Sequence, residues 1–199
     1  MSFGRKERQQ RNIRKKDSGQ AEWVTGLFWI LILSILLYAQ LQIASWRTTG
    51  MYMEDALAAS NLASALGDIQ EYGKTNKATI PDAEQAYEIY LEALRDNLQL
   101  DEQWECQNKS LISGKVEVAD YIVYNVEQNR VIAARVGANG CVTERWDGEK
   151  GVLTAPDGGV IEHPGIYSEI IFPVQGSWGI TIMAHKGKLV DIVAERREE

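Results

Sequence analysis

Residues 23–46 read WVTGLFWILILSILLYAQLQIASW, a run without a single charged side chain. At about 1.5 Å of rise per helical residue the run covers roughly 35 Å. A hydrocarbon core of about 30 Å is crossed by that length with a little tilt. Trp23 and Trp46 bracket the run, where amphipathic rings favour the membrane–water interface. Thr25, Ser34, Tyr38 and Gln40 are scattered through it and form no polar stripe, so the pattern is that of a membrane span and not of a buried soluble helix.

The charges on either side set the expected orientation. Residues 1–22 carry seven basic groups (Arg5, Lys6, Arg8, Arg11, Arg14, Lys15 and Lys16) against Glu7, Asp17 and Glu22, a net +4. The remaining 14 basic and 25 acidic residues give −11, for −7 overall. The positive-inside rule places the N-terminus in the cytoplasm and residues 47–199 outside the cell, a single-pass protein of the cell membrane. The span is too long for a cleaved secretory signal, and Ala44-Ser45-Trp46 puts a bulky ring at the cleavage position, so the reading is an uncleaved signal anchor. Beside such a span the basic arm is a topological signal, and no nucleic-acid partner is expected.

The expected segments are a basic cytoplasmic stretch at 1–22, the transmembrane helix at 23–46, a helical stalk and hairpin at 47–100 and an antiparallel sheet domain at 101–199, an α+β fold. In residues 51–72 Met51, Ala58, Leu62, Ala65, Ile69 and Tyr72 recur at spacings of three and four and predict a helix. That helix is rich in Ala and Ser. Its small residues permit close packing, against the protein's own domain or against another helix; in a pilin-like subunit Ala59, Ala63 and Ser64 are the expected contact for a neighbouring helix, with Leu62, Leu66 and Ile69 turned inward. Gly50 is a candidate kink between span and helix. Gly73 to Lys77 reads as a turn, and Thr79 followed by Pro81 reads as the start of a second helix reaching Leu98. Beyond Gln103 the period changes to two. Strands are expected at 115–126, 130–136, 141–146, 167–174, 179–184 and 189–194, with turns at Gln128-Asn129 and at His185 to Lys188.

Two cysteines, Cys106 and Cys141, lie in the part expected outside, and an even sparse count there predicts one disulfide. Closing a loop of about 35 residues, it would contribute roughly 3–4 kcal/mol in the chain-entropy model. No catalytic motif, cofactor fingerprint or metal-binding spacing is present. His163 and His185 stand alone in the sequence and read as surface residues. Asp147 and Glu149 offer a loose Ca²⁺ turn that lacks the alternating oxygen ligands of a recognised loop. Asn108-Lys109-Ser110 matches a glycosylation sequon. Neither a cofactor nor a small-molecule substrate is expected.

The layout of basic stub, single span, Ala-rich helix and α+β domain resembles type IV pilin-like proteins. DALAASNLASALGDIQEYG after the span and IYSEIIFPVQGSWG near the C-terminus are similar to the TadE-like pseudopilins of tight-adherence pilus clusters. The resemblance implies a non-enzymatic part of a surface pilus or secretion assembly, its helix packed among other pilin-like helices. The chain departs from the pilin pattern at the leader. A processed pilin has Gly at the cleavage point and Glu five residues on, whereas the fifth residue after Gly19 is Val24 and Glu22 is out of place. An anchored receptor or binding module is the competing expectation, and it calls for a lined pocket or an apolar patch in the sheet domain. An anchored enzyme has the least support.

Overall fold

The structure is a computed structural model that describes residues 3–66, 79–107, 112–176 and 180–192, with side chains from residue 22 onward. The chain divides into two compact units, Met1–Ser45 and Trp46–Glu199. Helix α1 runs Phe3–Ala65, and Gly50 lies inside it with its helical conformation kept. Among the described residues one helix is long and apolar enough to cross a membrane. Within the first unit the side chains of the apolar run are almost all exposed, and two polar side chains bond within the helix. Ser34 Oγ donates to Ile30 O at 2.8 Å and Gln42 Nε2 to the Tyr38 hydroxyl at 3.3 Å.

Among the described residues of the second unit, the part of α1 beyond Trp46 is followed by α2 (Ala83–Leu98) and five strands: β1 Glu117–Glu127, β2 Arg130–Val136, β3 Val142–Glu149, β4 Gly165–Gln175 and β5 Thr181–Asp191. All neighbours pair antiparallel in the order β3-β2-β1-β4-β5. The α+β expectation therefore holds. The turn expected at Gly73 to Lys77 lies outside the described residues, as do Ile69, Tyr72 and the sequon Asn108-Lys109-Ser110.

Two expected boundaries are corrected. Helix α2 is capped by Asp82, whose Oδ1 accepts from Glu84 N and Gln85 N, both at 3.0 Å. Thr79 and Pro81 precede that cap, and the helix closes at Gln99 in the left-handed region (φ 51°). The other correction concerns His185 to Lys188, which is no turn. It lies inside β5, and strands expected at 179–184 and 189–194 are one strand over the described residues. Gly187 looks like a turn residue in the sequence, but here the Tyr167 ring of β4 lies over it, where any Cβ would collide. An aromatic ring folded across a strand glycine restores the packing that the glycine lacks.

Alternation along the strands gives the sheet two apolar faces. Tyr121, Val123, Ile166, Ile170 and Phe172 point to the helices and join Met53, Leu57, Tyr90, Leu94 and Leu98 in the main core. Tyr87, Tyr90 and Tyr121 pack ring to ring there, with centroids 4.9 to 6.2 Å apart. The opposite face buries Ile122, Tyr124, Val131, Ala133 and Tyr167 under the segment that follows β3, which contributes Ala155 and Ile161. Burial there pushes the Tyr124 hydroxyl up to about 12.

No disulfide joins Cys106 and Cys141, against the expectation. Cys106 is buried in the helix-side core, its Sγ donating to Leu98 O at 3.4 Å, while Cys141 is exposed just before β3. A buried thiol behaves as a small apolar side chain, and an even cysteine count carries no information about where each one points.

Candidate interaction surface on helix α1

Beyond Trp46 the two sides of α1 differ in chemistry. The covered side carries Thr49, Met53, Ala56, Leu57, Ser60, Asn61 and Ser64, all buried. Their spacing of three and four is that of a single helical stripe. Four of the seven are polar, and the hydrogen bonds recorded for three of them explain how they are accommodated. Asn61 Nδ2 donates to Lys188 O at 2.9 Å and to Ile166 O at 3.4 Å, and its Oδ1 accepts from Ser168 Oγ at 2.7 Å. Ser64 Oγ donates to Asn61 O and accepts from the Tyr121 hydroxyl at 3.1 Å. Ser60 Oγ donates to Ala56 O and accepts from Asn97 Nδ2 of α2 at 3.0 Å. One helix stripe is thus bonded to β1, β4, β5 and α2.

Nearer the span two further links tie α1 to the β4–β5 hairpin. Glu54 receives Lys186 Nζ and Lys188 Nζ on its two oxygens, each at 2.7 Å. Those hydrogen bonds hold the Glu54 carboxyl at about 2, well below its ordinary value. Trp46 Nε1 donates to Gln175 O at 3.4 Å.

The other side of the same helix is exposed and apolar. It carries Met51, Ala59, Leu62, Ala63 and Leu66, interrupted by Asp55. Leu62 is 43% exposed, where Leu57 one turn away is fully buried. The expected contact residues therefore separate. Ala59 and Ala63 lie on the bare side, but Ser64 belongs to the covered stripe, and Leu62 and Leu66 point out instead of in. The stripe chosen from apolar residues alone fell on the wrong side because the true one is largely polar. Asn61 was missed for the same reason. Its only sequence signal is a position in register with Met53, Leu57 and Ser64. Trp23 is exposed, and Trp46 keeps two-fifths of its surface open.

The remaining candidates for chemistry have ordinary partners. His185 Nδ1 lies 3.0 Å from Glu169 Oε1, and Glu169 also accepts from the Tyr167 hydroxyl. Asp147 and Glu149, considered above as a loose Ca²⁺ turn, lie in β3 and not in a turn, and each has a partner, Arg130 for Asp147 and Asn129 for Glu149. Among the described residues no three His, Cys, Asp or Glu side chains gather as a metal site. An open cleft of about 390 Å³ lies between α2 and the start of β1, lined by Tyr87, Leu91, Trp104, Lys115 and Val118. Trp104 holds φ 65° there, an uncommon backbone state for a bulky residue. No protein-family model, curated protein or solved structure matches the chain.

Proposed function

We propose that the chain is a non-enzymatic, single-pass membrane protein that serves as a pilin-like, TadE-like component of a surface pilus or secretion assembly. In this reading the N-terminus is cytoplasmic and residues 47–199 are outside. The observation that carries it is the bare side of α1 beyond the span. Met51, Ala59, Leu62, Ala63 and Leu66 stay exposed, while polar side chains on the opposite side tie the helix to its domain. A helix with its apolar residues left uncovered has a surface suited to a neighbouring helix, and Ala59 and Ala63 permit close approach. The partner class is other helices of the same assembly.

A photocrosslinking residue in place of Leu62, in the full chain in its native membrane, tests the proposal. Adducts to other single-span proteins through their apolar helices are expected. Adducts only to lipid, or only to soluble proteins, would contradict it.

The second reading is an anchored receptor or binding module, favoured by the cleft at Trp104. It expects ligand-dependent changes in Trp104 fluorescence, with no crosslink at Leu62.

A further inference from the structure

We propose that the end of the β4–β5 hairpin that carries Ile180, Ile182 and Met183 rests in the interfacial layer of the lipid leaflet from which the span emerges. This rests on residues 23–46 being the membrane span.

Trp46 is the last residue of the uncharged run, and Arg47 is the first charge after Glu22. Whatever touches Trp46 is therefore within a side chain's length of the point of exit. The group that touches it is the last carbonyl of β4, on Gln175, accepting from the indole N–H at 3.4 Å. Two more links show that the hairpin runs alongside the helix from that point. Glu54 pairs with Lys186 and Lys188, and Asn61 bonds Lys188 O and Ile166 O. Trp46 to Asn61 is about 22 Å of helix, and Thr181, which pairs with Gln175, to Lys188 is about 23 Å of strand, so the spacings agree. The tip of the hairpin is its membrane-proximal end.

The chemistry of the tip fits a lipid surface. Ile180, Ile182 and Met183 are 62%, 51% and 53% exposed. Ile182 and Met183 are consecutive in a strand and point to opposite faces, so apolar surface is bare on both sides of the edge. In water such an edge invites pairing with other strands, and natural edges are normally guarded by charge. This one has no charged residue from Ile170 through Ala184, in a segment of the chain that is otherwise densely charged. The lysines appear only farther from the tip, at 186 and 188.

The test uses the full chain in vesicles of equal parts phosphatidylcholine and phosphatidylglycerol. The exposed thiol is removed by Cys141→Ser, and an environment-sensitive dye is placed singly through Ile182→Cys, Leu33→Cys or Val152→Cys. Val152 is exposed in the segment after β3 and reports water. Lipids with a nitroxide near the headgroup should quench the dye at 182 at least about twofold more than the dye at 152, with blue-shifted emission. If the dye at 182 follows that at 152 and is quenched by aqueous iodide, the tip is in water and the proposal is overturned. If the dye at 182 escapes both quenchers, protein covers the tip and the proposal is equally overturned. Leu33 separates the premises. Quenching at 33 by lipids labelled deep in the chain, with 182 in water, removes only the tip, whereas no quenching at 33 removes the span as well.

Discussion

Leu57 and Leu62 stand five residues apart on one helix and have opposite fates. Leu57 is fully buried against the sheet, and Leu62 faces out with Ala59, Ala63 and Leu66 around it. Between them sits Asn61, a polar residue that is buried because it supplies two donors and an acceptor to β4 and β5. The usual assignment of polar outside and apolar inside is partly reversed along this stretch. Such a reversal is stable only where each buried polar group finds partners and where the outward apolar side has something other than bulk water to meet. The first condition is visible in the hydrogen bonds. The second is what a neighbouring helix would supply.

The two sides should respond differently to the same change. Leu57→Ala is expected to destabilise the protein by about 2–5 kcal/mol, through lost burial and a cavity. Leu62→Ala should stay within about 0.5 kcal/mol. Chemical denaturation of the detergent-solubilised chain, followed by tryptophan fluorescence, measures both. Equal losses would show that the bare side is packed after all. Asn61→Ala is the next largest effect. It leaves Ser168 Oγ and the carbonyls of Ile166 and Lys188 without their buried partner and should cost about 1–3 kcal/mol in the same measurement. A neutral result would mean that water replaces the amide without loss. Ala63→Leu adds volume to the bare side, so stability should change by no more than about 0.5 kcal/mol while the crosslinks from Leu62 fall away. If Ala63→Leu unfolds the protein instead, the two sides are alike.

The smallest effect is the dependence on acid. The Glu54 carboxyl is lowered from 4.5 to about 2 by hydrogen bonds from Lys186 and Lys188. Protonation is therefore harder in the folded state. The contribution of Glu54 is fully present above pH 4.5 and is lost as pH falls through about 2. Glu54→Gln should flatten that part of the stability profile and leave the profile above it unchanged in shape. An unchanged profile in the variant would show that the lysines do not hold Glu54 in solution.

Much of the architecture could be read before any coordinates. The long apolar helix is legible because a charge-free run of that length has few other conformations open to it. Strand β2 begins and ends where period-two alternation puts it, at Arg130 and Val136, and the Gln128-Asn129 turn precedes it, with Gln128 at φ 55°. Where the structure departs from the sequence pattern, composition acts locally while the conformation is decided across elements. His185 to Lys188 looked like a turn because Gly187 and its polar neighbours match one, yet Tyr167 on β4 covers the glycine and Glu54 on α1 takes the lysines. Ser64 looked like a helix-packing residue because it is small. Its role is set by the Tyr121 hydroxyl, which lies far away in sequence. The pairing of Cys106 with Cys141 was inferred from number alone, and number does not place Sγ atoms within bonding reach.

The difference between the two sides of α1 is tested most directly by reactivity along it. Single cysteines at positions 49 to 66, in a chain carrying Cys141→Ser, would be treated with a membrane-impermeant maleimide in intact cells and again after extraction in detergent. Positions 51, 59, 62, 63 and 66 should be protected in cells and reactive after extraction. Positions 53, 57, 61 and 64 should be protected in both, because the domain's own sheet and helix cover them. Equal reactivity of the first set in cells and in detergent would show that no neighbour meets the bare side, and would contradict the account.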